Sequence, residues 1–188
     1  MRLAIYDATE KSPLLHLWAA GVRSYKLTGR IDDYLPATCW KEALQWLSTK
    51  KGITEVQYWG HGYWGNVKLG DSWLSVADAV DLKESFEPGA LLWFRTCMTA
   101  GSEQGRRFMR NLADALGCNV AGHTDKIWIW HSGLQIARPG KAPDWWPDAG
   151  VKTGTGEYPA KAYWGWPWRE RTIGFWRTRI PKKWMRAT

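Results

Sequence analysis

The chain has 188 residues, 45% of them hydrophobic, which suffices for one globular domain with a sizeable core and argues against a disordered chain. No apolar run approaches the ~20 residues that cross a bilayer, and the opening residues MRLAIYDATEKSP lack the apolar core and small-residue cleavage site of a secretory leader, so a cytoplasmic location is expected. The formal charge of +8 is uneven: residues 138–188 hold 11 Lys/Arg against 4 Asp/Glu and 7 of the 16 tryptophans, whereas residues 1–137 carry 15 against 14.

Two segments are therefore expected, an ordered domain over 1–137 and a basic, Trp-rich C-terminal extension over 138–188. In chain order, Arg2–Tyr6 is short and apolar and leads to Asp7, as a first buried strand would. Leu14, Leu17, Trp18, Val22 and Tyr25 recur at three- and four-residue spacing and predict a helix over 13–27. Gly29–Pro36 reads as a loop. Thr38 is placed to cap a helix over 38–50 with Ala43, Leu44, Trp46 and Leu47 as its stripe. Thr54–Trp59 is a strand that runs into Gly60-His61-Gly62, and glycines among alternating apolar residues predict a small hairpin over 63–73. Ser75 opens a helix over 76–86.

Ala90–Phe94 is the most uniformly apolar stretch and predicts a central strand buried on both faces, leading to Arg95-Thr96-Cys97. A helix over 102–116 stops at Gly117. Residues 118–122 read as a strand and 127–137 as a further strand or hairpin. The alternation predicts an α/β fold, a mainly parallel sheet sandwiched by helices. Past Pro139 the pattern fails among prolines, glycines and tryptophans.

In an open α/β sheet, ligands bind beyond the carboxyl ends of the strands. His61 and Cys97 follow two such ends, separated by one crossover, so their strands are expected to be neighbours. A thiol is a poor nucleophile until ionised, and a nearby imidazole accepts its proton or lowers its pKa. The backbone amides of Gly62 and Cys97 are candidate donors to an oxyanion hole. The alternative is a buried thiol beside an unrelated loop histidine.

The stretch from Val56 to about Thr124 resembles the caspase-like (clan CD) superfamily of cysteine peptidases, in which His-Gly and Cys follow successive parallel strands. More narrowly, it is similar to an uncharacterised caspase-like domain found near the N-terminus of many large bacterial surface proteins. The residues that carry the likeness are His61-Gly62 with Gly65, the Leu69-Gly70 turn, Cys97 with Gly101 and Gly105, and Leu112-Ala113 and Gly117 before Asn119-Val120-Ala121. The resemblance implies a caspase-like fold in which His61 is the general base and Cys97 the nucleophile of an endopeptidase acting on a protein substrate. The Gln-Ala-Cys-x-Gly pattern of true caspases is absent, since Arg95-Thr96-Cys97-Met98-Thr99 stands there, which weakens any inference of cleavage after aspartate.

Cys39 and Cys118 read as core residues, and three scattered cysteines make no CxxC pair, so no metal or cofactor is expected. His123 and Asp125 follow another strand end and are candidates to line the same cleft, as is Asp7 after the first strand. By the resemblance, an acid at Asp7 would contribute to the pocket for the residue before the scissile bond and favour Arg or Lys there. A polar turn explains each of the three as well.

The extension, with YWGWPWRERTIGFWRTRIPKKWMR over 163–186, mixes indoles with cations, a combination used at membrane interfaces, on single-stranded nucleic acid and at protein interfaces. Glycines and prolines interrupt every candidate helix. Packing on the domain or on a protein partner is expected, with Trp166, Trp168 and Arg171 as the candidate contacts. Membrane surface and nucleic acid are the disfavoured partners. The competing functional reading is thus an inactive scaffold that binds a protein partner through this end.

Overall fold

The computed structural model describes residues 1–185; the last three residues of the extension, 186–188, lie outside the described residues. Its centre is a six-stranded sheet. In chain order its strands are β1 (Arg2–Asp7), β2 (Asp33–Ala37), β3 (Ile53–Trp59), β7 (Phe86–Arg95), β8 (Asn119–His123) and β10 (Leu134–Ala137). Across the sheet they run β10-β8-β7-β3-β1-β2. All pairings are parallel except β8 with β10. Helices α1 (Leu14–Leu27), α2 (Trp40–Ser48) and α4 (Ser102–Leu116) cover its faces. The fold is therefore α/β, with a mainly parallel sheet flanked by helices.

Between β3 and β7 stand a three-stranded meander, β4 (His61–Tyr63), β5 (Asn66–Leu69) and β6 (Ser72–Trp73), and a short helix α3 (Val76–Ala79) continued by a 3₁₀ segment, Val80–Ser85. Ser75 caps α3 by accepting from the Ala77 amide. Three expectations are corrected. The 63–73 hairpin begins two residues earlier, so His61 itself lies on a strand. The Gly29–Pro36 loop contains β2, an edge strand in which Pro36 is tolerated because an edge leaves one side of the backbone unpaired. Cys39, and not Thr38, is the N-cap of α2; the amide and hydroxyl of Thr38 both donate to the Glu42 carboxylate at 2.8 Å.

The alternation of side chains along each strand sorts the core into two layers. On one face Leu3, Ile5, Val56, Tyr58, Leu92 and Phe94 pack with Trp40, Leu47, Met109 and Leu112 of α2 and α4. On the other, Ala4, Tyr6 and Trp59 meet Trp18, Val22 and Tyr25 of α1. The rest of that second face is covered by the extension, with Ile173 and Ile180 buried against Leu91, Trp93 and Ala121. Each such aliphatic side chain contributes about 1.5–3 kcal/mol by leaving water.

The extension also carries β11 (Val151–Gly154), paired with β12 (Pro159–Ala162), then β13 (Ile173–Gly174), paired with β9 (Trp130–His131), and a last turn α5 (Lys182–Met185). It is bound to the sheet through Arg95, a fully buried cation between the rings of Trp59 and Trp93 at 4.0 and 4.5 Å. The Arg95 guanidinium donates to the carbonyls of Phe175 at 2.6 Å and Arg177 at 2.9 Å. No helix among the described residues is long and apolar enough to cross a membrane.

Candidate active site

The strand order reverses direction between β1 and β3, the place where the carboxyl ends of an open sheet splay apart and leave a crevice. Three chemically able side chains follow three adjacent strand ends there: Glu10 after β1, His61 after β3 and Cys97 after β7. The last registered pair of β3 and β7 is Trp59 with Arg95. His61 and Cys97 each stand two residues beyond it.

Gly62, the residue after His61, lies directly against the Thr96–Thr99 turn. A Cβ on Gly62 would sit 2.6 Å from the Cys97 carbonyl oxygen and 2.8 Å from Thr96 Oγ1, and would overlap Thr99 Oγ1. Only glycine fits this approach. Thr96 and Thr99 share a hydrogen bond between their hydroxyls inside the turn. Met98, next to the cysteine, adopts φ +56°, a left-handed conformation that costs a non-glycine residue about 1–3 kcal/mol and is over-determined here by the Met98 amide donating to the Asp125 carbonyl at 3.0 Å.

Both proposed oxyanion donors are unspent. Opposite Gly62 on β5 is Val67, whose carbonyl accepts from Leu74 at 3.0 Å on the β6 side, so Gly62 and Val67 form a non-hydrogen-bonded pair and the Gly62 amide points away from β5. The Cys97 amide has no hydrogen-bond acceptor among the described residues.

The imidazole of His61 is half exposed, packs edge-on against Trp18 with centroids 5.3 Å apart, and bonds through Nε2 to the carboxylate of Glu10. Glu10 is fixed in turn by the Ser12 amide, which donates to its other oxygen at 2.6 Å. The hydrogen bond from His61, aided by that amide, lowers the Glu10 pKa to about 2. In a neutral ring whose Nε2–H donates to the carboxylate, Nδ1 is the accepting nitrogen.

Cys97 Sγ donates to the Ile127 carbonyl at 3.6 Å, and burial raises its pKa above the ordinary thiol value, so the resting group is the neutral thiol. Cys118 is fully buried with its pKa pushed up to about 12, chiefly by burial, and Cys39 is half-buried at the start of α2.

The remaining site candidates have internal occupations. Asp7 is buried; one oxygen accepts from the amide and hydroxyl of Thr9, at 2.9 and 2.6 Å, and the other from the Gly70 amide at 3.2 Å. It shapes the loop that delivers Glu10. His123 is fully buried, accepting from Trp93 Nε1 at 3.2 Å and donating through Nδ1 to the Ser132 carbonyl at 3.0 Å; burial lowers its pKa to about 3. Asp125, equally buried, holds the Arg169 guanidinium through both oxygens. Arg171 is engaged with Gln135 Oε1 at 3.0 Å. Trp166 and Trp168 stand partly and largely exposed, stacked with centroids 5.3 Å apart and ring planes 8° from parallel. No group of three His, Cys, Asp or Glu among the described residues is placed to hold a metal ion.

Glu10 was not legible as a site residue in the sequence. It sits in a polar loop with no local motif, and only the adjacency of β1 to β3 brings it to His61.

No curated protein and no solved structure matches the chain. The family described as Domain of unknown function (DUF4347) matches residues 36–129, half of the 188, and the chain belongs to that family.

Proposed function

We propose that the protein is a caspase-like cysteine endopeptidase in which Cys97 is the nucleophile, His61 the general base and Glu10 the residue that orients it. The reading is supported by one observation, the close packing of Gly62, next to His61, on the turn that presents Cys97, beyond adjacent parallel strands. In this mechanism Nδ1 of His61 takes the proton from the thiol as sulfur attacks a peptide carbonyl. The developing oxyanion is held by the amides of Gly62 and Cys97. The imidazolium, stabilised by Glu10, returns the proton to the leaving amine, and water hydrolyses the thioester by the reverse path. A mixed peptide library incubated with the wild-type chain should yield discrete products, absent with Cys97→Ala. No cleavage of any peptide or protein would refute the reading.

A second reading is favoured by the raised pKa of Cys97 and the donation of its Sγ–H to the Ile127 carbonyl. Here the chain is an inactive caspase-like scaffold that binds a protein partner through the exposed indoles of the extension. Cys97→Ala then leaves function intact, whereas Trp166→Ala or Trp168→Ala removes partner binding.

A further inference from the structure

A cleft of about 1030 Å³ is lined mostly by the extension and closed by Thr124, Lys126, Gly133 and Gln135 beyond β8. Neither His61 nor Cys97 lines it, yet its wall reaches the nucleophile. Ala162, a lining residue, belongs to the buried cluster of Trp64 and Met98 against which Cys97 packs. Lys126, on the cleft, precedes the residue whose carbonyl receives the Cys97 thiol.

The charge of the cleft is net cationic. Lys126, Lys152 and Lys161 line it, and none enters an ion pair among the described residues. Two acids share the wall, Asp148, which accepts from the Gly156 amide, and Glu170, and the three lysines outnumber them. Between the lysines stand indoles with open faces: Trp146 is 83% and Trp168 77% exposed. The Lys126 ammonium lies 5.5 Å from the ring centroid of Trp164. Sequence separates these groups by up to 42 positions, and β11, β12 and the loop after β8 gather them on one concavity.

We infer that this cleft binds an acidic segment of the substrate polypeptide, with carboxylates on Lys126, Lys152 and Lys161 and apolar or aromatic side chains laid on the indoles. The inference rests on the peptidase reading of Cys97 and names the substrate class that reading leaves open. A polypeptide suits the cleft better than single-stranded nucleic acid for two reasons. One of its lining residues, Ala162, belongs to the buried cluster on which Cys97 packs. Trp166 and Trp168 stack on each other and leave no slot between them for a base.

The test uses the full chain and three labelled probes: a short Glu/Tyr peptide, its Gln/Tyr counterpart, and an oligothymidine of equal charge. Fluorescence anisotropy at fixed salt reads binding, and cleavage of the two peptides is followed in parallel. One half-buried and two exposed lysines predict about tenfold tighter binding of the Glu/Tyr peptide. That advantage should vanish in a K126Q/K152Q/K161Q variant whose near-ultraviolet circular dichroism and melting temperature match wild type. Trp168→Ala should weaken both peptides alike. Equal affinity for the two peptides, or tighter binding of the oligothymidine, overturns the cleft assignment even where cleavage is found. Preferential binding of the Glu/Tyr peptide by a chain that cleaves nothing overturns the substrate role and places the failure in the peptidase reading instead.

Discussion

The carboxylate of Glu10, on the loop after β1, holds Nε2 of His61 at the end of β3. The contact joins two residues 51 apart in the chain that follow strands adjacent in the sheet. It fixes the ring, and in the proposed peptidase it would serve as the base–orienter hydrogen bond. Glu10→Gln keeps one acceptor oxygen and should retain more activity than Glu10→Ala, which should lower kcat/KM by about 10- to 100-fold. Nitrogen-15 shifts of the His61 ring report whether the Nε2–H tautomer is lost. The Glu10 pKa is lowered from the ordinary 4.5 to about 2, so the carboxylate's contribution is complete above about pH 4.5 and is lost as pH falls toward 2.

Gly62→Ala places a methyl group on the Thr96–Thr99 turn, where the nearest atoms include the Cys97 carbonyl. The turn must move. Loss of catalysis should exceed the loss of stability, expected at about 1–3 kcal/mol as for other overpacked sites. Urea unfolding and kcat/KM, measured on the same preparation, separate the two.

The three thiols should differ in reactivity. Cys118, fully buried with its pKa pushed up to about 12, should resist iodoacetamide until the chain unfolds. Half-buried Cys39 supplies background labelling that Cys39→Ser removes. Cys97 should label slowly near neutral pH and faster as pH rises, because burial holds its proton. Tryptic mass mapping across a pH series checks the order.

Arg95 ties the extension to the sheet through two backbone carbonyls and two indole faces. Arg95→Lys cannot reproduce the planar fork, and Arg95→Met leaves the carbonyls unpaired. Each should cost about 3 kcal/mol, with early loss of protection from proteolysis in residues 138–185. Urea midpoints and limited trypsinolysis provide the check.

His123 is kept neutral inside the fold, its pKa lowered from the ordinary 6.5 to about 3. The unfolded chain binds that proton first, so stability should decline as pH falls from about 6.5 toward 3. His123→Gln should reduce that slope in thermal melts run across the interval, leaving the part due to buried His131, whose pKa is lowered in the same direction.

The sheet was legible where its residues state their own environment. ALLWF reads as a strand buried on both faces because burial on both faces selects apolar residues at every position, and 102–116 reads as a helix because one face repeats and Gly117 stops it in a left-handed conformation. β2 was hidden by Pro36 and by polar residues that an edge strand tolerates. The extension was opaque because its order is tertiary: Phe175 packs against Trp59, and its backbone carbonyls are claimed by an arginine some 80 residues away. That His61 and Cys97 follow adjacent strand ends could be read from the sequence by counting one crossover. Glu10 could not, since nothing near it in the chain marks it. His123 and Asp125 looked like cleft residues because they follow a strand end, but both are consumed inside the protein.

The central claim, proton transfer between His61 and Cys97, is tested most directly by a peptide chloromethylketone or similar substrate-shaped electrophile. Intact-mass spectrometry of the Cys39→Ser chain should show one adduct, mapped to Cys97, forming at least about 100-fold more slowly when His61 is replaced by Ala. An adduct that forms equally fast without His61, or that maps to another residue, would contradict the account.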